Sequence, residues 1–173
     1  SLIALVLLSS LASSFSANSA ACSVTDVVSP AGGELWAGSH AIAWASSGCT
    51  TVDIQYSSDG GTSFATVQAG VASPDATSAS PNTYTLDTTL YADGTNYKIR
   101  GKKGGSHLTS GAFTIDNTSP TTSDTSNDDW HNEDQTVTLT CNDATAGCAA
   151  TYYTTDGTTP TQSSAQGTTI ALS

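Results

Sequence analysis

Two stretches of this chain carry the same landmarks in the same order, and this internal repeat constrains the fold more than any other feature. Each stretch has a Ser-Pro pair, a Trp, an apolar run, a Cys and then Tyr-x-x-Asp-Gly. The landmarks are Ser29-Pro30, Trp36, 40–44, Cys49 and 56–60 in the first stretch, and Ser119-Pro120, Trp130, 136–139, Cys148 and 153–157 in the second. The two tyrosines lie 97 positions apart, which is about the length of one β-sandwich domain. The sequence therefore predicts two tandem units of similar β-architecture.

Short strand signals alternate with turn signals through both units, at the spacing of a sandwich. In the first unit, Val52, Ile54 and Tyr56 alternate with polar residues, as on a strand with one buried face. Asp59-Gly60-Gly61 then predicts a hairpin turn. Strands are expected near 23–29, 40–46, 51–58, 63–70, 82–87, 95–101 and 110–116, and then near 119–123, 135–141, 150–155 and 168–172. The predicted division is residues 1–21, 22–116 and 117–173, with a linker at 116–120.

The first residues are typical of a secretory signal peptide. The run 2–8 is apolar, and Ser19 and Ala21 are small residues at the −3 and −1 positions of a cut before Cys22. A membrane helix is disfavoured because seven of the first 20 residues are Ser, whereas spanning takes about 20 predominantly apolar residues. Lipidation of Cys22 is the second alternative. The prediction is a secreted or surface-attached protein with residues 1–21 as a partial signal peptide.

Four cysteines support an oxidising location, because an even count after a signal peptide indicates disulfides. Cys22 begins the first predicted strand and Cys49 follows the second, so antiparallel pairing brings them together. Cys141 and Cys148 flank a short loop between consecutive strands. Zinc is the competing interpretation, but no close C-x2-4-C pair occurs. We therefore predict the disulfides Cys22–Cys49 and Cys141–Cys148 and no metal.

The charge balance excludes some partners. Fifteen acidic residues face four basic ones, for a net charge of −11, which disfavours nucleic acid and anionic membranes. All four cations lie at 98–103, where Lys98, Arg100 and Lys102 would share one strand face. This stripe is interpreted as a soluble face that protects a sheet edge from pairing. The alternative is contact with an acidic polysaccharide or the acidic face of a neighbouring unit.

The residues offer little catalytic chemistry. The three histidines, His40, His107 and His131, are scattered and form no His-Glu-x-x-His motif. Glu34 and Glu133 are the only Glu residues, and their similar places in the two repeats favour a structural role over the carboxylate pair of a glycosidase. The polar run 124–134 lacks the order of a calcium loop and is interpreted as a solvated loop. We expect no enzyme activity and no cofactor.

Aromatic side chains are the remaining candidates for ligand contact, because their rings can stack on sugars. Trp44 shares a strand face with Ile42, which predicts a core position. Trp36 and Trp130 stand at turn-to-strand entries, where they either cap the sandwich or are exposed. Tyr152 and Tyr153 are expected on opposite faces, with one exposed. Trp36, Trp130 and Tyr152 are therefore the weak candidates for a ligand site.

Both units resemble known secreted modules. Residues 22–116 resemble the Ig-like Kre9/Knh-type repeat through Gly32-Gly33-Glu34, Trp44, Asp59-Gly60-Gly61 and 97–100, although Ala31 and Phe64 replace the Asn and Trp often found there. Residues 117–173 resemble the chitobiase/β-hexosaminidase C-terminal-type Ig-like module through 152–157 and Thr158-Thr159-Pro160-Thr161. The resemblances imply an all-β fold of tandem Ig-like β-sandwiches, the second incomplete, and non-catalytic modules of larger extracellular proteins.

These expectations give two functional hypotheses. The first is a non-catalytic extracellular module acting in adhesion, in association with a wall polysaccharide or as a spacer, with further Ig-like domains as neighbours and no membrane span. The second is an accessory module of a secreted glycoside hydrolase or peptidase.

Overall fold

The structure, a computed structural model, describes residues 21–127, 129 and 131–172. It is built from strands joined by turns, with one short 3-10 helix at Thr88–Leu90. The strands are β1 (Ser23–Ser29), β2 (Leu35–Trp36), β3 (Ser39–Ser47), β4 (Thr51–Ser57), β5 (Ala65–Ala72), β6 (Asn82–Asp87), β7 (Gly94–Lys103), β8 (Ser106–Thr109), β9 (Phe113–Ile115), β10 (Thr121–Asp124), β11 (Gln135–Asn142), β12 (Tyr152–Tyr153), β13 (Ala165–Gln166) and β14 (Thr169–Leu172). The predicted all-β fold of tandem sandwiches is confirmed. The predicted signal segment, residues 1–21, falls outside the described residues except for Ala21.

Strands β1 to β9 form two sheets that pack face to face, here called the N-terminal unit. One sheet has the order β1-β3-β6, and the other has the order β2-β9-β7-β4-β5, with β8 also paired to β7. Apolar side chains from both sheets meet between them, because alternate residues of each strand point inward. The core contains Val24, Trp36, Ile42, Trp44, Val52, Ile54, Leu86, Tyr97, Ile99, Phe113 and Ile115. The predicted inward faces of β3, β4 and β7 are thus confirmed.

The prediction for the stripe on β7 is wrong in one respect. Strand β7 pairs with β4 on one side and with β8 and β9 on the other, so it lies inside its sheet. The strand expected at 110–116 is shorter in the structure and corresponds to β9. Strand β8, which was not expected, precedes it and is folded back onto β7 by the Gly104-Gly105 turn. Since β7 has neighbours on both sides, its charges are not needed to protect an edge.

A close backbone contact joins the first turn to the last strand of the N-terminal unit. A Cβ added at Gly111 would lie 2.3 Å from the Ala31 oxygen and 2.7 Å from the Gly32 Cα. The Gly33 amide donates to the Ala112 carbonyl at 2.7 Å nearby. Only glycine therefore fits at 111, and the contact leads β2 into its parallel pairing with β9.

A small polar network is buried at one end of the core. The Trp44 indole Nε1 donates to the Ser73 Oγ at 2.8 Å, and that oxygen lies 2.9 Å from the Ser46 Oγ. The Asn82 amide completes the network by donating to Ser46 at 3.0 Å and to the Pro74 carbonyl at 3.0 Å. Trp44 is 1% exposed and Ser73 is 0% exposed, so Trp44 is a core residue as predicted, and its indole N–H depends on the Ser73 hydroxyl for a partner.

Strands β10 to β14 form the C-terminal unit. Strand β11 lies between β10 and β14 in a three-stranded antiparallel sheet, and β12 pairs with β13. The strand expected at 150–155 is only two residues long, because the Asp156-Gly157 turn follows at once and Gly157 has a φ of 78°. No helix among the described residues is long and apolar enough to cross a bilayer.

Each unit contains one disulfide. Cys22 pairs with Cys49 across 27 positions, and Cys141 pairs with Cys148 across seven. Both predicted pairings are confirmed. The first bond joins the start of β1 to the chain just after β3, the strand with which β1 pairs.

Candidate functional site

An open cleft of about 520 Å³ on the C-terminal unit is a candidate site that includes one of the predicted ligand residues, Tyr152. Its apolar floor is one face of the β10-β11-β14 sheet, and its side wall is β12 with the turn that follows. The lining is Thr122, Asp124, Val137, Leu139, Tyr152, Tyr153, Thr154, Thr155, Pro160, Ile170 and Leu172. An apolar floor with aromatic rings and a few polar groups at the rim is the usual composition of a small-ligand site.

The strict alternation of β11 forms the floor of this cleft. Val137 and Leu139 are half-buried, whereas the intervening threonines are exposed. Ile170 on β14 lies opposite Val137 in the register and is 9% exposed. Leu172 at the end of β14 is 41% exposed. The floor is therefore buried at its centre and open to water at its margin, where a ligand can enter without rearranging the sheet.

Two carboxylates near the cleft are held ionised by turn hydrogen bonds. The Ser126 hydroxyl and N–H both donate to Asp124 and keep the pKa of its carboxyl group below the ordinary value. The Thr158 hydroxyl and N–H lower the pKa of Asp156 in the same way, at 2.6 and 3.0 Å. Both side chains close Asx-type turns. Asp124 lines the cleft, so its rim carries a fixed negative charge.

Of the three predicted ligand residues, one lines the cleft, one is buried and one lies outside the described residues. Tyr152 lies in the cleft as a half-buried residue, and Tyr153 lies beside it, also half-buried. Both tyrosines are half-buried, so the expectation that one of the two is exposed is wrong. Trp36 is only 5% exposed, with its ring 4.8 Å from the His40 ring in a parallel stack. This burial favours a packing role for Trp36. Trp130 lies outside the described residues.

The candidate catalytic residues are dispersed over turns and strands. His40 stacks on Trp36, His107 lies on β8, and His131 bonds the Asn127 side chain at 2.8 Å. Within residues 21–127, 129 and 131–172, no three His, Cys, Asp or Glu side chains gather into a group that could hold a metal ion. In the polar run, Asn127 donates to Asp129 at 3.2 Å.

Glu34 is a turn carboxylate. Its two oxygens accept from the Ala31 N–H at 2.5 Å and the Gly32 N–H at 2.7 Å. Partial burial pushes the pKa of Glu34 up, but these backbone donors outweigh burial and lower it. Glu133 lies exposed before β11. These hydrogen bonds give Glu34 a structural role in the turn before β2, whereas an equivalent position for Glu133 stays a prediction.

The repeated Tyr-x-x-Asp-Gly landmark also has a structural explanation. The Asp59 carboxylate accepts from the Ser57 and Ser63 hydroxyls at 2.6 Å and from the Thr62 N–H at 3.0 Å. These bonds hold the pKa of Asp59 well below its usual range. In the second unit Asp156 accepts from the Thr158 N–H and hydroxyl, and the glycine that follows it has a positive φ, as Gly60 does in the first unit. The landmark thus marks a tight turn after a strand in both units.

Fold and cleft together define an all-β protein of tandem β-sandwich units with an open, tyrosine-lined cleft on the second. Residues 129–172 match the protein family described as the chitobiase/beta-hexosaminidase C-terminal domain. This stretch is about a quarter of the chain, and it confirms the resemblance predicted for the second unit. The resemblance of residues 22–116 to the Kre9/Knh-type repeat stays a prediction. No curated protein and no solved structure matches the chain.

Sequence reasoning found Tyr152 but missed most of the cleft. Val137, Leu139 and Ile170 read as ordinary inward residues of a sandwich, and Pro160 reads as a turn residue. The available signal was the motif shared with the matched family, which spans the tyrosines and the proline. The cleft itself depends on how far β12 lies from the β11 sheet, and periodicity does not give that distance.

Proposed function

We propose that this chain is a non-catalytic, extracellular β-sandwich module that associates with a wall polysaccharide through the cleft beside Tyr152. The observation that carries the proposal is the cleft's composition, with two adjacent tyrosines over an apolar floor. Tyrosine presents an apolar ring face together with a hydrogen-bonding tip, which suits the alternating apolar and hydroxyl surfaces of a sugar ring. The two disulfides support an extracellular location, because such bonds persist in oxidising compartments.

A pull-down with the full chain tests this proposal. Chitin, cellulose, β-glucan and peptidoglycan serve as the insoluble probes. We expect retention on at least one of them and about tenfold weaker retention of Tyr152→Ala, the equivalent of roughly 1.4 kcal/mol. Tyr152→Phe is the matched control, since it keeps the ring and removes only the hydroxyl group. Equal retention of the wild type and Tyr152→Ala, with both proteins folded by circular dichroism, contradicts the role of the cleft.

Absence of retention on all four probes favours the spacer version, in which the units only hold other domains apart. That result leaves the extracellular assignment intact, because it rests on the disulfides. Mass spectrometry of the medium, wall and cell fractions of the native host, before and after reduction, tests the location separately. Free thiols at positions 22 and 49 in the native protein would count against it.

A second candidate function is an accessory module of a secreted glycoside hydrolase. The match to a domain named for chitobiase and β-hexosaminidase favours it. Reading the gene outward in both directions distinguishes the two. A catalytic domain in the same frame supports the accessory role, whereas further repeats ending in a wall-sorting segment support the adhesive role.

A further inference from the structure

A second surface, distant in sequence from the cleft, concentrates all the positive charge of the protein. The four cations of this chain occupy positions 98 to 103. Lys98, Arg100 and Lys102, here called the basic stripe, alternate on β7 with the buried residues Tyr97, Ile99 and Gly101. The basic stripe therefore lies on the outer face of the larger sheet. Because β7 is an interior strand, edge protection does not explain it.

Arg100 at the centre of the stripe is held in place before any ligand arrives. Its Nε donates to the Gln55 Oε1 at 2.8 Å, and its guanidinium carbon lies 3.8 Å from the centre of the Phe64 ring. Gln55 is fixed in turn by a 3.3 Å bond to the Thr66 hydroxyl. Only Nε is used in this arrangement, so the terminal nitrogens have no hydrogen bond among the described residues. A pre-positioned side chain loses little entropy on binding.

Lys98 belongs to the same packed cluster. A Cβ added at Gly61 would lie 3.4 Å from the Lys98 Cδ and 3.8 Å from the Phe64 Cζ. The Lys98 Nζ also lies 3.8 Å from that point, so the Lys98 side chain and the Phe64 ring both lie beside the Gly61 turn. A side chain larger than hydrogen at position 61 would crowd both of them.

The polar neighbours of Lys102 across the sheet are one carboxylate and one imidazole. Asp53 on β4 is its partner in the register, and His107 on β8 is its partner on the other side. The Asp53 carboxylate accepts from the Gly70 N–H at 2.8 Å, so part of its hydrogen-bonding capacity is already used. The fourth cation, Lys103, is different, since its Nζ donates to the Thr51 hydroxyl at 2.8 Å and it alternates away from the basic stripe.

We infer that the basic stripe binds the carboxylate groups of an acidic polysaccharide. Alternate residues of a strand are about 6.6 Å apart, so the three cations form a row of about 13 Å that suits an extended chain with repeated anionic groups. Arginine binds carboxylates through paired N–H groups, and Gln55 and Thr66 place amide and hydroxyl groups beside it.

Affinity electrophoresis and calorimetry with polygalacturonate test the inference on the full chain. The fully methyl-esterified polymer is the neutral control, because it has the same backbone without the charges. We expect polygalacturonate to bind at low salt, the ester not to bind, and added salt to weaken binding. Lys102→Gln and Lys98→Gln should each weaken binding by up to about fivefold, and Arg100→Lys should weaken it although the charge is kept.

Lys103→Gln is the matched variant, since it removes the same charge from the same strand without touching the stripe. It should change binding less than twofold. Equal losses for Lys103→Gln and Lys102→Gln, equal binding of the two polymers, or no binding of polygalacturonate at low salt would overturn the inference. A sedimentation coefficient that rises with protein concentration in the wild type but not in Lys102→Gln would assign the stripe to a second copy instead.

The cleft and the stripe are tested independently of one another. Tyr152→Ala should leave polygalacturonate binding unchanged, and the stripe variants should leave retention on neutral glycans unchanged. A failure of one site therefore does not imply a failure of the other.

Discussion

Replacing Ser73 with alanine tests whether the polar network in the N-terminal core contributes as its geometry indicates. The Ser73 hydroxyl accepts from the Trp44 indole at 2.8 Å and lies 2.9 Å from the Ser46 hydroxyl. Ser73 is 0% exposed, so water cannot replace the lost oxygen without entering the core. The variant leaves the indole N–H buried without a partner.

The expected cost follows from these two contacts. An unsatisfied buried donor costs about 1–3 kcal/mol, and the lost bond to Ser46 costs about 1 kcal/mol. Ser46 keeps its bonds to Asn82 and Pro74, so it adds nothing further. Ser73→Ala should therefore lower the free energy of unfolding by about 2–4 kcal/mol. Trp44→Phe should cost about 2 kcal/mol, mainly through the cavity left by the smaller ring.

A double-mutant cycle separates the hydrogen bond from the packing. In Trp44→Phe/Ser73→Ala no indole N–H remains to be left unpaired, so the double variant should lose about 1–2 kcal/mol less than the sum of the single variants. Urea unfolding of the oxidised full chain, followed by far-ultraviolet circular dichroism, measures all four proteins. Costs that add to within about 0.5 kcal/mol would refute the reasoning, because they would mean that the indole does not depend on Ser73.

Three further predictions concern the disulfides, one glycine and one carboxylate. Replacing both cysteines of the 22–49 bond by serine should lower the free energy of unfolding by about 3.5 kcal/mol, against about 2.4 kcal/mol for the 141–148 bond, since the first bond closes the longer loop. Urea unfolding measures both losses, and a larger loss from the second pair contradicts the estimate. Gly111→Ala should lower the free energy of unfolding by about 1–3 kcal/mol or more, because backbone atoms block its Cβ. Gly105→Ala is the control, since nothing lies within 4 Å of its Cβ, and equal losses of stability in the two variants would be inconsistent with the contact. The lowered pKa of Asp59 implies a stabilisation that is complete above about pH 4 and is lost as the pH falls toward the folded-state value; Asp59→Asn should flatten the acid limb of the stability curve, and an unchanged slope refutes this.

Several features of the fold could be predicted because they depend on local chemistry. Alternation along 51–58 gave the inward face of β4, since side chains of a strand point to opposite sides whatever its neighbours are. The Asp-Gly turns after Tyr56 and Tyr153 followed from the positive φ that glycine tolerates. The Cys22–Cys49 pair followed from the antiparallel pairing of the strands on either side of it, which brings the start of β1 beside the end of β3. The Cys141–Cys148 pair followed from the short loop between the two cysteines.

Sheet membership was the feature that local reasoning could not supply. The basic stripe was assigned to an edge because charge is typical of edges, but β7 lies between β4 and β8. Alternation tells which residues of a strand share a face, and it does not tell which strands lie beside it. The functional interpretation of the four cations changes with this single fact.

The amino-acid sequence by itself determined the all-β class, the Asp-Gly turns and the cysteine pairs, since alternation, turn residues and the order of the strands are present in it. Only the tertiary structure decided that Trp36 is buried in a stack with His40, and that Tyr152 and Tyr153 both line one cleft. Exposure of a turn-to-strand aromatic depends on which segment packs over it. For Trp36 the distant segment is β9, whose Phe113 ring lies 4.6 Å from the Trp36 ring, and the position of β9 is set by the packing of whole sheets.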